Sequence, residues 1–378
     1  MNAPTSSPGR MMDGAHPVRP ADTIRVMLID DSLTVRTIFK RMIESDPAMK
    51  VIETAGSAER GIAKLAGADL DVILLDLEMP GMGGLEALPS ILKAAPEAQV
   101  MVVSSLTEDG AEATVTALSR GAADTMLKPR PGAFNDDYRA QLLGKIRALG
   151  AGRQEDAQGE ASEAGAPATP ARHRRSKRPE VLAIGASTGG IHALNLMLRT
   201  LTDQFTLPIL ITQHLPSSFI PVFARQIEVA SGRTTHIAED GTEIRAGEIG
   251  IATGHGHMLV RRSADGFVTG LCSRPVENGC LPSVDPMLSS LAETCDGRAI
   301  ALILSGMGRD GLAGARQLVA AGGTLWAQDC ETSAVWGMPG AVHKAGLTSF
   351  VASPEKLGQA LMDELVSASD RDGPQGAA

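Results

Sequence analysis

Four apolar segments in the N-terminal third of the chain each lead into charged or hydroxyl side chains. Because the carboxyl ends of parallel strands meet at one edge of a sheet, these side chains are predicted to share a cleft. Converging carboxylates repel one another unless a cation is present, and a few oxygen ligands together with a phosphate suit Mg²⁺. An Asp beside Mg²⁺, with a Lys for the phosphoryl oxygens, matches an aspartyl-phosphate site. The residues concerned are Asp30, Asp31, Asp76, Ser104 and Lys128.

A second set of candidate residues follows three apolar segments of the C-terminal half. The motif GASTGG has the GxSxG form that raises a serine, here Ser187, at a strand-to-helix turn, where amides at the helix start can stabilise an oxyanion. A serine nucleophile needs a base, and His214 in QHLP follows the next apolar segment. Asp310 in SGMGRDG follows a third segment and is the candidate that orients the imidazole. These residue types and their placement predict a serine hydrolase.

Each motif of the second set also has another interpretation. A Gly-rich strand-to-helix turn can cradle a phosphate, but the spacing is GxxxGG rather than GxGxxG, and no acidic residue ends the next strand. One isolated His is more often a satisfied core or loop residue, and Asp310 alone would more often be an N-cap. The order Ser, His, Asp differs from that of α/β-hydrolases, so that family is a poor fit. His255 and His257 lie two residues apart without further ligands, which favours a turn and a packing role over a metal site.

The elements that must position the first set of residues form a five-stranded α/β domain. Each predicted strand is apolar on both faces, as in a parallel sheet that helices cover on both sides, and helical stretches lie between the strands. This pattern is typical of a doubly wound fold. The predicted strands are residues 24–30, 50–55, 71–76, 99–104 and 123–127.

The second set of residues belongs to a larger, mostly parallel, doubly wound α/β domain. Helices fill most gaps between its predicted strands. Residues 235–271 look like antiparallel hairpins inserted in the otherwise parallel domain. The predicted strands are residues 181–184, 207–212, 248–252, 258–261, 267–271, 299–304 and 324–327.

The domain boundaries follow from changes in composition. Residues 150–180 contain no Val, Ile, Leu, Met, Phe, Trp or Tyr, so they cannot bury enough apolar surface to offset the entropy of ordering. The basic residues near the end of this segment are interpreted as a solvated linker end rather than a nucleic-acid patch. The predicted division is a disordered leader (residues 1–22), a first domain (23–149), a flexible linker (150–179), a second domain (180–362) and a polar tail (363–378).

Composition excludes several classes of function. The formal net charge of −9 argues against a nucleic-acid binder, which would need a basic face, and 3% aromatic residues offer few stacking platforms. The longest apolar run, residues 299–304, is too short to span a bilayer, and residues 1–21 lack the apolar core of a secretion signal. The four cysteines show no CxxC spacing, so neither a disulfide framework nor a zinc site is predicted. We therefore expect a soluble cytoplasmic protein with no nucleic-acid partner and no membrane insertion.

The series DD, D, S and K at successive strand ends resembles the receiver domain of two-component response regulators, over residues 23–149. A turn or a helix cap explains one strand-end Asp but not the whole series. The resemblance implies phosphorylation by a histidine kinase in the presence of Mg²⁺, and a cis bond before Pro129. The residues it assigns are Asp76 for phosphorylation, Asp30, Asp31, Asp76 and the backbone carbonyl of Glu78 for Mg²⁺, and Ser104 and Lys128 as switch residues. One departure is Thr125, where receivers usually carry an aromatic switch residue.

GASTGG, QHLP and SGMGRDG in this order, followed by QD at 328–329 and GMP at 337–339, resemble the chemotaxis protein-glutamate methylesterase family over residues 180–362. The family also places a receiver domain first. The resemblance implies hydrolysis of glutamate methyl esters on chemotaxis receptors, with no cofactor for the esterase. The residues it assigns are Ser187 as nucleophile, His214 as base, Asp310 as orienting acid, and Thr188 and the backbone near Met307 beside the reacting carbonyl.

Three questions are left open by the sequence. Glutamine deamidation uses the same chemistry, but amides are harder to cleave than esters. Asp285 in PSVD is a second candidate acid, for which a structural role is preferred. The alternative to an enzyme is a regulator whose second domain binds a partner and whose triad is vestigial. For the enzyme, we expect the unphosphorylated first domain to dock across the edge that carries Ser187 and to inhibit it.

Overall fold

The computed structural model describes residues 23–105, 107–129, 134–158 and 178–371. The predicted leader, most of the predicted linker and the end of the predicted tail lie outside the described residues. Among the helices of the described part, none is long and apolar enough to cross a membrane.

The first domain is a five-stranded parallel sheet, as expected, and its strand order is β2-β1-β3-β4-β5. Helices alternate with the strands, and three of them begin at a hydroxyl side chain (Ser32, Ser57 or Thr107) that accepts a hydrogen bond from a first-turn amide. The elements are β1 (Ile24–Ile29), α1 (Leu33–Ile43), β2 (Met49–Ala55), α2 (Ala58–Leu65), β3 (Val72–Asp76), α3 (Gly84–Ala94), β4 (Gln99–Ser104), α4 (Glu108–Ser119), β5 (Asp124–Leu127) and α5 (Asp136–Gln158).

The second domain is a seven-stranded parallel sheet, in the order β15-β14-β13-β6-β7-β10-β8, with a separate three-stranded antiparallel sheet, β11-β12-β9. Its elements are β6 (Val181–Ala186), α6 (Gly190–Leu198), β7 (Ile209–Gln213), α7 (Ile220–Ser231), β8 (Thr235–Ala238), β9 (Glu243–Arg245), β10 (Ile249–Ala252), β11 (His257–Arg262), β12 (Gly266–Cys272), α8 (Val284–Thr294), β13 (Ala299–Ile303), α9 (Leu312–Ala320), β14 (Thr324–Gln328), α10 (Met338–Lys344), β15 (Phe350–Ala352) and α11 (Pro354–Arg371).

The architecture confirms the predicted fold class, with one correction in the region of residues 235–271. Strands β8 and β10 pair in parallel and extend the main sheet, so only β9, β11 and β12 form the antiparallel insertion. The short strands β8, β9 and β15 were not predicted. Each has only three or four residues and lies at the edge of its sheet, so its apolar pattern is too brief to read from sequence.

Two helices continue past the predicted domain ends. Helix α5 continues to Gln158, beyond residue 149, and helix α11 continues to Arg371, beyond residue 362. The extension of α5 contains Ala, Arg, Gln, Glu and Asp beside two glycines, and most of these residues support a helix without apolar side chains to bury. The extension of α11 contains Leu365 and Val366 among polar residues. The absence of large apolar residues after residue 149 therefore did not indicate where α5 ends, and the polar residues after residue 362 placed the end of α11 too early.

Contacts between α4 and the second domain bring the two domains together. Helix α4 packs against α6 and α7, and buried residues of both sheets join one apolar cluster. The side-chain amide of Gln226 on α7 lies 2.9 Å from the hydroxyls of Thr116 and Ser119 on α4. Nδ1 of His192 on α6 lies 3.2 Å from the carbonyl oxygen of Ser119. The α4–β5 side of the first domain therefore faces the carboxyl edge of the second sheet.

Candidate functional site

The charged residues at the edge of the first sheet form one compact group. Asp76 ends β3, and its side chain is buried. Lys128 Nζ lies 2.5 Å from Asp76 Oδ2 and 3.8 Å from Asp30 Oδ2. The amide of Glu78 donates to Asp76 Oδ1 at 2.9 Å, which fixes the loop that leaves the strand. The structure thus places the Lys and the strand-end carboxylates together, as the sequence predicts.

The chemistry of this group fits a divalent cation. Carboxylate oxygens of Asp30, Asp31 and Asp76 lie within 4.8 Å of one another. Burial raises the pKa of Asp76 to about 6 against the opposing effect of Lys128, and burial also raises the pKa of Asp30. Asp30 Oδ2 is buried without a hydrogen-bond partner in the part of the chain that the structure describes. A hard cation would supply both the missing partner and the missing positive charge.

Two hydroxyls in the first domain are buried and unpartnered among the described residues. They belong to Ser104, at the end of β4, and Thr125, in β5. Burying a hydroxyl without a hydrogen bond costs free energy, so each of these two hydroxyls can gain a hydrogen bond if a new partner comes close.

The structure corrects one expectation about the peptide bonds. The cis peptide bond of the described residues joins Leu281 to Pro282, and the bond between Lys128 and Pro129 is trans.

Binding of Mg²⁺ to this group is expected to raise the midpoint of thermal unfolding of the wild-type chain by a few degrees, because the cation binds the folded carboxylates and not the unfolded chain. The Asp30→Asn variant should lose most of this shift. Glu86→Gln, which alters an exposed carboxylate on α3, is the matched control. Differential scanning calorimetry with and without Mg²⁺ measures the shift, and an equal shift in Asp30→Asn would contradict this cation site.

Ser187 lies in the tight turn between β6 and α6. Its amide donates to the carbonyl oxygen of Ser305 at 3.0 Å, which ties the turn to the end of β13. Gly189 has a φ of 78°, and a Cβ there would lie 2.6 Å from Ser305 Oγ. A Cβ at Gly190 would lie 2.6 Å from the Cβ of Ala186. The glycines of GASTGG are therefore required by this packing, and they hold the serine at the sheet edge.

His214 and Asp310 form a hydrogen-bonded pair at the same edge. His214 Nε2 lies 2.7 Å from Asp310 Oδ2. This contact leaves Nδ1 as the ring nitrogen that is free to serve Ser187. No hydrogen bond joins Ser187 Oγ to His214 in the described chain, and such contacts often tighten only when substrate binds.

The carboxylate of Asp310 is buried in a ring of donors. It accepts hydrogen bonds from Ser283 Oγ at 2.6 Å, Asn278 Nδ2 at 2.7 Å and the amide of Val284 at 2.7 Å. Burial alone would raise the pKa of Asp310, but His214 and these donors outweigh it and hold the pKa at about 2. The group is therefore ionised at neutral pH and can stabilise a protonated imidazole.

Asp285 has a different environment from Asp310. It accepts from the amide of Gly314 at 2.7 Å, which links α8 to α9, and no hydrogen bond joins it to His214 among the residues described. Burial raises its pKa to about 6. The geometry favours the structural role that the sequence analysis preferred for Asp285.

Sequence reasoning missed two residues that support Asp310, namely Asn278 and Ser283, which donate to its carboxylate. His257, for which the sequence favoured a packing role, accepts at Nδ1 from the amide of Ser283 at 3.0 Å. His257 is buried, and its Nε2 faces the carbonyl oxygen of Arg274 at 3.0 Å. His257 thus packs under the loop that carries Ser283. The only signal for this loop in the sequence was the PSVD segment.

Cys280 lies beside the His214–Asp310 pair, in a position that the sequence did not reveal. One side-chain ligand atom from each of the three residues lies within 4.8 Å of the other two. Burial, together with the nearby carboxylates of Asp310 and Asp285, raises the pKa of the Cys280 thiol to about 11. The thiol is therefore neutral at neutral pH and does not compete with Ser187 as a nucleophile.

Thr188 and Met307 lie next to the first domain. Thr188 Oγ1 donates to Asp124 Oδ2 at 2.7 Å, and Lys145 Nζ donates to the same oxygen at 2.7 Å. Met307 is 43% exposed, and its methyl group lies near Gly144 on α5. The structure therefore places both residues at the interface between the domains as well as near Ser187.

The first domain closes the edge around Ser187. The amide of Gly189, at the start of α6, donates to the carbonyl oxygen of Ala123 at 2.6 Å. The cavity beside Ser187 has a volume of about 10 Å³, room for about one water molecule. It is lined by Ser187, Gln213 and His214 from the second domain and by Ala123, Asp124 and Thr125 from the first, among others. A protein substrate cannot enter this closed arrangement.

Replacing Asp310 or Asp285 by Asn tests which of the two acids orients His214. Asp310→Asn is expected to lower hydrolytic turnover on the order of 10²- to 10⁴-fold, because the imidazole loses the charge that orients and stabilises it. Asp285→Asn should lose much less, since it acts on the α8–α9 contact. Steady-state rates of both purified variants, with circular dichroism as a check of folding, decide this. A larger loss at Asp285 would reverse the assignment.

Comparison with known protein families identifies two matching regions. Residues 26–134 match the response regulator receiver domain, and residues 182–361 match the CheB methylesterase domain. A protein-glutamate methylesterase/protein-glutamine glutaminase of Paramagnetospirillum magneticum is 40% identical over 87% of this chain and 93% of its own length. One from Azospirillum brasilense is 39% identical over 91% of this chain and 93% of its own length.

Solved structures also resemble the separate domains. The catalytic domain of Thermotoga maritima CheB methylesterase is 34% identical and covers 49% of this chain and 98% of its own, with a TM-score of 0.47. The response regulator domain of T. maritima CheB is 41% identical and covers 33% of this chain and 94% of its own, with a TM-score of 0.30.

Proposed function

Since the chain belongs to the protein-glutamate methylesterase family, we propose that it is a phosphorylation-activated serine hydrolase that removes methyl esters from glutamate side chains of chemotaxis receptors. The observation that carries this proposal is the buried, ionised Asp310 bonded to His214 at the sheet edge that presents Ser187. In the alternative, a non-enzymatic regulator with a vestigial triad, the hydrogen-bond donors that keep this buried carboxylate ionised would serve no catalytic purpose.

The proposed reaction begins with attack of Ser187 Oγ on the ester carbonyl carbon. His214 accepts the hydroxyl proton through Nδ1, while Asp310 stays ionised and stabilises the imidazolium. Backbone amides near Thr188 and Met307 stabilise the oxyanion of the tetrahedral intermediate. The intermediate collapses as methanol leaves with the proton from His214, and a γ-glutamyl ester remains on Ser187.

A water molecule completes the cycle. His214 removes its proton, the hydroxide attacks the acyl carbon, and the serine recovers the proton as glutamate leaves. A glutamine side chain would react through the same steps and release ammonia instead of methanol. The amide is the harder bond, so we propose deamidation as the slower activity of the same site.

Replacement of the nucleophile tests the proposed reaction. Ser187→Ala is expected to lower methanol release from a methylated receptor fragment on the order of 10⁴- to 10⁶-fold, because the covalent step is lost while the turn keeps its glycines. Ser217→Ala, in the short 3₁₀ helix after His214, is the matched control and should retain activity. Methanol release by Ser187→Ala at the wild-type rate would contradict the assignment.

We propose that the first domain controls access to this site through Asp76. A histidine kinase would supply the phosphoryl group, and the carboxylates of Asp30, Asp31 and Asp76, with the backbone carbonyl of Glu78, would hold Mg²⁺. The cation, when bound, neutralises charge on the transferred group. Lys128 and the unpartnered Ser104 hydroxyl would then bind the phosphoryl oxygens. These roles, and a cytoplasmic location, stay predictions.

A continuous series of contacts connects the site around Asp76 to the turn that carries Ser187. Ser104 ends β4, which pairs with β5, and β5 begins with Asp124 and Thr125. Asp124 holds Thr188, and the carbonyl of Ala123 occupies the amide of Gly189 at the start of α6. Movement of β4 and β5 toward a phosphoryl group would loosen these contacts and free the amides beside Ser187.

Loss of the Asp124 contact should open the site without phosphorylation. Asp124→Ala removes the partner of Thr188 and is expected to raise unphosphorylated methanol release by roughly 5- to 30-fold, since a buried hydrogen bond to a charged group contributes about 1–2 kcal/mol to the closed state. Asp136→Ala, an exposed carboxylate paired with Arg139 on α5, is the control. Equal basal rates in Asp124→Ala and the wild type would show that this contact does not hold the closed state.

A further inference from the structure

The thiol of Cys280 completes a mixed set of ligands around the proposed triad. His214, Cys280 and Asp310 each offer one ligand atom, and these atoms lie within 4.8 Å of one another. The three residues come from different segments: the end of β7, the loop before α8 and the loop after β13. The thiol itself makes only a long contact, 3.9 Å to the carbonyl oxygen of Asn278, among the described residues.

The chemistry of these ligands selects a particular class of cation. Imidazole nitrogen, thiolate sulfur and one carboxylate oxygen form a ligand set that zinc accepts in tetrahedral sites, with water as the fourth ligand. Mg²⁺ prefers six oxygen ligands and has little affinity for sulfur. The two clusters of possible cation ligands among the described residues therefore differ in preference: the carboxylates around Asp76 suit Mg²⁺, and the cluster at Cys280 suits a thiophilic divalent ion.

We propose that His214, Cys280 and Asp310 form an inhibitory site for a thiophilic divalent cation, with Zn²⁺ as its representative. Binding releases the thiol proton to solvent and places the metal between the imidazole and the carboxylate. The inhibitory effect rests on the proposed function, because it follows from the role of His214 as the base.

The hydrogen bond between His214 and Asp310 must give way to the metal. Zinc–nitrogen and zinc–oxygen bonds of about 2.0–2.2 Å at a tetrahedral angle separate the two ligand atoms by roughly 3.3 Å. The observed separation of 2.7 Å therefore has to widen by a fraction of an ångström. The imidazole can then neither accept the serine proton nor keep its orientation, so the metal-bound enzyme is inactive.

Access to the cluster runs through the loop that carries Cys280. The His214 side chain is 17% exposed, Cys280 is half-buried, and the adjacent Leu281 is 52% exposed. Asp310 already holds its other oxygen, Oδ1, on Ser283 and Asn278. Oδ2 is the carboxylate oxygen that faces His214 and can exchange that contact for a metal bond.

The test uses the full-length protein with excess Mg²⁺, so that the carboxylate group around Asp76 stays filled. Co²⁺ serves as the spectroscopic probe, because a thiolate ligand gives it a charge-transfer band in the near ultraviolet that carboxylates do not give. The wild type and the control Cys272→Ser should show this band, and Cys280→Ser should lack it. Micromolar Zn²⁺ should lower wild-type methanol release at least tenfold, reversibly with a chelator, and Cys280→Ser should need at least tenfold more Zn²⁺ for the same effect.

The outcomes test the metal site separately from the proposed esterase function. A Co²⁺ band of equal strength in Cys280→Ser, or equal Zn²⁺ inhibition of both proteins, would overturn the metal site. A Co²⁺ band that depends on Cys280 would support the site even if the protein is not an esterase. The proposed esterase function would be refuted if the zinc-free protein, with Mg²⁺ and acetyl phosphate restored, released no methanol. If Cys280→Ser does not fold by circular dichroism, the thiol-blocked wild type replaces it: methylthiolation of Cys280, verified by mass spectrometry, should abolish the band.

Discussion

A parallel sheet delivers the ends of all its strands to one edge, and the arrangement of both candidate sites depends on this constraint. In the first domain the edge gathers Asp30, Asp76 and Lys128, and in the second it gathers Ser187 and His214. The same geometry makes each edge a flat, loop-rich surface that another domain can cover. Contacts of Ala123 and Asp124 with the turn around Ser187 use this property, so the fold that builds the active site also offers the means to close it.

The pKa values of the buried carboxylates in the two sites are shifted in opposite directions. Asp76 and Asp310 are almost equally inaccessible, yet burial dominates at Asp76 and raises its pKa to about 6, whereas hydrogen bonds dominate at Asp310 and hold its pKa at about 2. The difference lies in the number of donors, because Asp310 is surrounded by them and Asp76 has Lys128 and one amide. A carboxylate that is short of positive charge suits a cation and a phosphoryl group, and a fully bonded one suits a fixed role beside a base.

The sequence predicts those parts of the molecule whose signals are local. Apolar strands, glycine-rich turns and the residues directly after each strand indicated both sheets and the residues grouped at their edges. Contacts between distant segments leave no such signal. Asn278, Ser283 and Cys280 reach Asp310 and His214 only because the loop before α8 folds back over the sheet edge, and the partnership of Thr188 with Asp124 joins two domains. The parallel pairing of β8 with β10 depends on sheet topology in the same way.

In the proposed regulation, the first domain covers Ser187 until Asp76 is phosphorylated. The most direct measurement is the rate at which a serine-directed phosphonate labels Ser187 in the full-length protein, followed by mass spectrometry of the modified peptide. With Mg²⁺ and acetyl phosphate, we expect labelling of the wild type at least several-fold faster than without the phosphodonor, and no acceleration in Asp76→Asn. Labelling of the unphosphorylated wild type at the same fast rate as the phosphorylated protein would contradict the proposed regulation.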